Sequence, residues 1–406
     1  QLCNRVKLLR RHDAFYLLKN CLFIPKLLYM FRTAPTFNAQ CLLSSFEQLL
    51  RVALEDVCNV SLSEPRWVQT TLPCRLGGLG IPSPAVVAPS AFLASLHSTA
   101  NLVRALLRVD CLPPDPLYSV ARQAWSTLLR HDCSPSDPSK QANWTAPIQE
   151  QALDHLLTTS DQLTVSRLQG CCAPGAGDSQ NAIPSLTLGL RLNDQQFSVA
   201  VGFRLGAPVC VAHKCVCGAE VDPTGQHALS CKKLKGRLAR HSRGNDVIIR
   251  GLASADIPST LEPPGLCRSD GKRPDGLTLF PWSRGKSLAW DFTCVNRLAA
   301  SYSRNATAPG AVIAACAEEK KMTKYRELDH DYLVQPVAVE SLGELGPSTL
   351  AFLCDLGRRI SNISGNKRAS EFLRQRIGIA VQAGNAACVR ESLSFIDPVP
   401  HREELF

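Results

Sequence analysis

Two aspartates stand sixteen residues apart in runs that are otherwise largely apolar: Asp275 in Arg273-Pro274-Asp275-Gly276-Leu277-Thr278-Leu279, and Asp291 in Leu288-Ala289-Trp290-Asp291-Phe292-Thr293-Cys294. Both runs read as strands. A carboxylate inside a buried strand loses its water and persists only with a compensating partner, for which a hard divalent cation is the usual choice. The chemistry such a pair could do is metal-dependent hydrolysis of a phosphodiester, with Asp275 and Asp291 as catalytic ligands of Mg²⁺.

Hydrolysis of that kind also calls for a cationic group beside the phosphate. Two acids on adjacent strands, with a lysine two residues after the second, make the PD-(D/E)xK arrangement of restriction-like nucleases, and Pro274-Asp275 and Asp291 resemble its first two elements. Position 293, where the lysine would stand, is threonine. The following helix offers a replacement in Glu318-Glu319-Lys320-Lys321-Met322-Thr323-Lys324-Tyr325. Its apolar stripe runs through Ala311, Ala314, Ala315, Met322, Tyr325 and Leu328, and Glu318 and Lys321 fall on that stripe. Charged groups facing a core need partners, and aspartates at the neighbouring sheet would supply them. Lys321 is therefore the expected catalytic cation, Lys324 the next candidate and Tyr325 an orienting hydroxyl. The competing reading leaves both lysines as favourable charges near a helix C-terminus. Glu262, in the strand before the pair, is a candidate third metal ligand, against its reading as an ordinary edge-strand acid.

A second constellation precedes the first. Cys215, Cys217, His227 and Cys231 supply four sulfur and nitrogen ligands within seventeen residues, with Gly218, Pro223 and Gly225 to turn so short a loop back on itself. Zn²⁺ favours such a tetrahedral set, and four protein ligands leave no open position, so the expected zinc is structural. Cys210 and His213 remain alternative ligands. Immediately downstream come Lys232, Lys233, Lys235, Arg237, Arg240, His241, Arg243 and Arg250, with Asp246 the acid among them. Beside a zinc loop, Lys232, Lys233, Lys235, Arg237, Arg240 and Arg243 are expected to contact nucleic-acid phosphates rather than merely solvate a helix face.

These groups must be positioned by a chain of 406 residues, too long for one core. Its 45% hydrophobic and 20% charged content is that of a globular protein, and a formal net charge of +10 favours a polyanionic partner. Eighteen cysteines without a signal-peptide pattern at the start point to a reducing compartment rather than a disulfide scaffold. No apolar run reads as long enough to cross a bilayer, so no membrane partner is expected. Starting on Gln1 in mid-pattern, the chain is expected to be part of a longer one.

Helical periodicity covers residues 1–115, interrupted by the glycine cluster of Leu72-Pro73-Cys74-Arg75-Leu76-Gly77-Gly78-Leu79-Gly80, which reads as a turn. It is not a phosphate loop, since no Lys-Ser/Thr pair follows it. Proline- and serine-rich stretches flanking a short helical region make 116–185 a linker or connection, 186–235 holds the zinc loop, and 236–395 alternates helices and strands as an α/β domain with a mixed sheet.

With these parts in place the chain resembles the C-terminal part of a non-LTR retrotransposon reverse-transcriptase polyprotein, of the group with a restriction-like endonuclease. The resemblance is carried by Pro25-Lys26-Leu27-Leu28-Tyr29 with Arg32-Thr33, by Gly77-Gly78-Leu79-Gly80-Ile81, by the Cys215, Cys217, His227, Cys231 knuckle, by Arg273-Pro274-Asp275 and Asp291, and by Lys321, Lys324 and Tyr325. It implies a multidomain protein: a helical thumb-like region, a zinc knuckle and a restriction-endonuclease-like α/β domain. It further implies nicking of target DNA in the nucleus to prime reverse transcription, with element RNA or an RNA–DNA hybrid as second partner and no small-molecule cofactor. The polymerase palm is not expected, because no Tyr-x-Asp-Asp tetrapeptide occurs. The alternative is a nucleic-acid-binding remnant whose nuclease is inactive.

Overall fold

The computed structural model describes residues 2–111, 115–130, 133–266, 271–299, 302 and 308–393. The chain divides into two compact units, Gln1–Ser160 and Asp161–Phe406.

The first unit is helical: α1 (Leu2–Val6), α2 (Arg11–Asn20), α3 (Ile24–Thr33), α4 (Gln40–Cys58), α5 (Glu64–Thr71), α6 (Pro84–Leu107), α7 (Pro116–Ser126) and α8 (Gln141–Thr159). In α4, Leu43, Leu50, Leu54 and Val57 recur at three- to seven-residue steps and are the buried stripe, and Asn59 ends the helix in the left-handed region. Between α5 and α6 the glycine cluster is a turn, closed by Gly78 N–H donating to Pro73 O and Gly80 N–H to Leu72 O at 2.8 Å. A Cβ on Gly78 would lie 2.0 Å from the Leu72 carbonyl oxygen, so glycine is the residue the turn admits. Gly78→Ala is accordingly expected to destabilise this unit by about 2 kcal/mol or more, read as a lower urea midpoint with an unchanged slope.

The connection expected over 116–185 is helical over more of its length than the short region expected, on both sides of the unit boundary. Trp125 of α7 and Trp144 of α8 are fully buried edge-to-face, with ring centroids 5.0 Å apart, and the Trp125 indole donates to Trp144 O at 2.8 Å. Two buried indoles outweigh the proline and serine signal around them, because each aromatic removes a large apolar area from water. Two stretches, Arg11–Thr33 and Pro84–Leu107, also pass a length and composition test for crossing a bilayer, against the sequence expectation. The first is two helices, α2 and α3, rather than one, and the second buries Val87, Ala88, Ala91, Phe92, Leu93 and Ala94 in the core of its unit.

The second unit runs α9 (Gln162–Cys172), α10 (Asp178–Asn181), α11 (Asp194–Leu205), β1 (His213–Lys214), β2 (Glu220–Val221), α12 (Gln226–Ser230), α13 (Gly236–Ser254), β3 (Ser259–Leu261), β4 (Gly276–Thr278), β5 (Leu288–Val295), α14 (Val312–Lys324), β6 (Leu333–Glu340), α15 (Pro347–Ser364) and α16 (Ala369–Ser392). The protein is thus mostly helical, with a small mixed sheet of order β3-β4-β5-β6. The first two pairings are antiparallel, and β5 to β6 is parallel through the α14 crossover, with Asp291 opposite Pro336. Alternation along β5 sends Leu288, Trp290 and Phe292 into a core with Ile248, Leu252, Val337, Leu353 and Leu373. The intervening residues, Asp291 among them, fall on the face where α14 packs its alanines Ala314 and Ala317 against Ala338.

The Cys/His loop is not a free-standing module over 186–235. Cys215, Val221, Leu229, Cys231 and Leu234 share one core with Phe203 of α11 and Ala386, Cys388 and Val389 of α16. So short a loop has too little apolar surface for a core of its own and borrows one from the helices around it.

Candidate active site

Asp291 sits mid-strand in β5 and is 4% exposed. On α14 the three-residue step from Lys321 to Lys324 puts both ammonium groups on the side facing β5. Lys321 Nζ donates to Asp291 Oδ1 at 2.5 Å and Lys324 Nζ to Oδ2 at 3.3 Å. Tyr325, 1% exposed, accepts from Lys324 Nζ at 2.5 Å and donates its hydroxyl proton to Arg273 O at 2.7 Å. That last bond ties the end of α14 to the segment leading into Asp275.

Asp275 precedes β4 and lies against β5 through its own backbone, its N–H donating to Trp290 O at 2.9 Å. Its side chain accepts from Phe292 N–H at 2.7 Å and contacts His241 Nε2 at 3.0 Å. The strand pairing therefore brings its carboxylate onto the backbone of the residue next to Asp291. Burial works to raise the Asp275 carboxyl, but the hydrogen bond and charge of His241, with Asn245 and the Phe292 N–H, hold it below the usual carboxylate range. The group is an anion at neutral pH, as a metal ligand must be.

His241 and Asn245 come from α13, one turn apart, and were not recognised as site residues in the sequence. Trp290 Nε1–H donates to Asn245 Oδ1 at 2.9 Å, which assigns the amide, because an indole can only donate. The Asn245 NH₂ then faces His241 Nδ1 at 3.4 Å, so the neutral imidazole carries its proton on Nε2, toward Asp275. The Asp275 hydrogen bond pulls the His241 pKa up against the opposing effect of burial. The one available signal was the four-residue step from His241 to Asn245, hidden inside a run read for its charge.

Glu318 is the second residue whose role emerges only in three dimensions. It accepts from Ser348 N–H, from Thr349 N–H at 2.8 Å and from the Thr349 hydroxyl at 2.6 Å, capping the start of α15. Its place on the α14 stripe is answered by a helix N-terminus, and that of Lys321 by Asp291.

Two expected members fall elsewhere. Glu262, the candidate third ligand, has a positive φ of 48° and pairs with the Arg273 guanidinium at a largely exposed position. Among the described residues it does not converge with Asp275 and Asp291 into a three-carboxylate set. The reason is local: Arg273, two residues before Asp275, neutralises Glu262 across the β3–β4 ladder. Arg240, expected on a phosphate, is 2% exposed and donates to Asn385 Oδ1 at 2.8 Å and Leu229 O at 3.1 Å. It holds α13 to α16, on the face of the helix opposite to solvent. Lys232, Lys233, Lys235, Arg237 and Arg243 are exposed.

The Cys/His set does converge: Cys215, Cys217, His227 and Cys231 place their ligand atoms within 4.8 Å of one another, a group that could hold a metal such as zinc. Cys217 Sγ is 3.2 Å from His227 Nε2 and Cys215 Sγ is 3.8 Å from Cys231 Sγ. Ligands about 2.3 Å from a tetrahedral zinc lie roughly 3.8 Å from one another, so these spacings suit it. The β1–β2 hairpin carries the first two cysteines, turning at Gly218 with φ 90°, and α12 carries His227 with Cys231 as its C-cap. The two alternatives are otherwise engaged. Cys210 lies against the carbonyls of Asp222 and Pro223, and His213 bonds Val211 O and the Ser392 hydroxyl.

No protein-family model matches this chain, and no curated protein matches it in sequence.

Proposed function

We propose that the second unit is a Mg²⁺-dependent DNA endonuclease of restriction-like type, belonging to the C-terminal part of a non-LTR retrotransposon protein. The observation that supports the reading is the pairing of Asp291 with Lys321 and Lys324 of α14, beside an Asp275 carboxylate that accepts from the backbone of Phe292, the residue next to Asp291. In the sequence pattern the lysine would stand at 293, on the same face of β5 as Asp291. Here α14 delivers ammonium groups to that face instead.

Two carboxylates with water suit Mg²⁺, which commonly takes only one or two protein carboxylates. When bound there, the cation would acidify a water and offset charge on the phosphate. This chain's residues would do the rest. Asp275 and Asp291 would hold the cation, with His241 keeping Asp275 ionised and oriented. Lys321 would neutralise a phosphate oxygen, and Tyr325, which accepts from Lys324, would orient Lys324 as a second donor. Lys232, Lys233, Lys235, Arg237 and Arg243 would contact nucleic-acid phosphates, and the zinc loop would set the start of α13. Nicking of target DNA in the nucleus, with element RNA or its hybrid as the second partner, completes the proposal.

One observation favours the second reading, a nucleic-acid-binding remnant that no longer cuts. Both oxygens of Asp291 already have lysine partners, as a purely structural ion pair would. Supercoiled plasmid with Mg²⁺ separates the two. The whole chain is expected to produce nicked circles and Asp275→Ala to lose at least about a hundredfold in rate, since removing a ligand forfeits several kcal/mol of transition-state stabilisation. Equal rates for the two proteins would refute the site, and salt-sensitive binding without cutting would establish the remnant.

A further inference from the structure

The face of α13 turned away from β5 borders a cleft of about 600 Å³, closed by α16 and by the segment 186–191. Arg191, Arg243, Arg250 and Arg376 line it, and Asp246 is the carboxylate among its lining residues, so the walls carry a net charge of +3. Arg250 Nε donates to Asp246 Oδ1 at 3.0 Å and Arg376 Nε to Leu188 O at 2.9 Å, each bond using one of five guanidinium donors. Burial first, and then the charge of Arg250, hold Arg376 below the ordinary guanidinium range, so the cationic groups crowd one another. A polyanion would relieve that repulsion.

The cleft is also partly apolar. Leu186 is 70% and Leu188 42% exposed at its rim, with Val247, Ile379 and Ala380 beneath. Arg243 and Arg250 are seven residues apart on one helix face, about 10 Å along its axis. Guanidinium groups set along a helix at that spacing suit successive phosphates of a chain.

We propose that this cleft seats a single strand of nucleic acid, its guanidinium groups on consecutive backbone phosphates and Leu186 and Leu188 against sugars or bases. A concavity of this volume is of the size that holds a small ligand or a short stretch of single strand. Among the described residues no aromatic ring lines it, so binding is driven by phosphate contacts and is indifferent to sequence. The seat lies on the opposite side of α13 from His241, Asp275 and Asp291, so the strand it holds is not the one presented for cutting. The proposal deepens the nucleic-acid part of the proposed function and rests on it.

The test is anisotropy of a short labelled oligothymidine with the whole chain in Mg²⁺-free buffer without chelator, where the proposed cutting lacks its cation. Arg250→Gln combined with Arg376→Gln is expected to raise Kd about tenfold or more and to lower the salt slope by about 1.4, at roughly 0.7 for each lost phosphate contact. Ala253→Glu, which leaves every arginine in place and adds an acid to the exposed cleft wall, is expected to weaken binding as well. Circular dichroism of each variant confirms that it folds. Unchanged Kd and slope in both variants overturn the proposal. So does an equal loss for a duplex, or competition by millimolar inorganic phosphate as strong as by unlabelled oligonucleotide. An RNA oligonucleotide of matching length tells which nucleic acid is preferred, and either preference supports the seat. A chain that binds the oligonucleotide but never nicks plasmid refutes the nuclease and leaves the cleft standing.

Discussion

Asp291→Asn is expected to reduce plasmid nicking by about three orders of magnitude while lowering stability by only about 1–2 kcal/mol. Asparagine keeps the size and one acceptor of the carboxylate but cannot offer the charge that binds a divalent cation, and a lost ligand costs about 4 kcal/mol in the transition state, or about a thousandfold in rate. The stability effect is smaller because Lys321 and Lys324 retain 23% and 27% side-chain exposure and can turn to water, unlike a fully buried ion left without its partner. The two quantities separate the nuclease from the structural ion pair. If Asp291 served only to neutralise the lysines, the variant would melt earlier and nick at the wild-type rate, and Lys321→Met added to it would recover stability. Nicking rates measured beside thermal melts for the single and double variants decide the matter, and an unimpaired rate in Asp291→Asn would end the catalytic assignment.

The second large effect concerns the Cys/His set. Cys231→Ser, or removal of zinc by a strong chelator, is expected to destabilise the second unit by at least about 3 kcal/mol, shifting its Tm downward by roughly 6–12 °C. The size follows from where the ligands sit. Cys215 and Cys231 are buried in the core that joins α11, α12 and α16, and Glu391 of α16 accepts from Lys235 N–H and Gly236 N–H at the start of α13. Loosening the loop would therefore expose Phe203, Leu229 and Val389 and release the first turn of the helix that carries His241. Calorimetry with metal content measured on the same samples checks this. A protein that contains no zinc when purified from zinc-supplemented medium, and melts the same with and without chelator, would remove the metal from this site.

Much of the site was legible before any folding was considered. Charged residues at periodic apolar positions mark a place where burial must be compensated, and Asp275, Asp291 and Lys321 stand at such positions. The close spacing of Cys215, Cys217, His227 and Cys231 likewise restricts the loop enough that its ligands can hardly avoid one another. The β5 and β6 strands and the helices after them lie close to where alternation and helical period place them. The 116–185 segment was less legible, since local proline and serine signals do not reveal that Trp125 and Trp144 will meet.

The sequence by itself determined which face of each element a residue occupies, because strand and helix periods are properties of the local backbone. It therefore set Asp291 on the α14 side of β5 and Lys321 toward the sheet. Only the tertiary structure decided who meets whom. It gave both Asp291 oxygens to lysines, sent Glu262 to Arg273 and Glu318 to the start of α15, sank Arg240 against Asn385, and brought His241 and Asn245 to Asp275. Partners separated by more than ten residues are chosen by the packing of whole elements, and no local period carries that information.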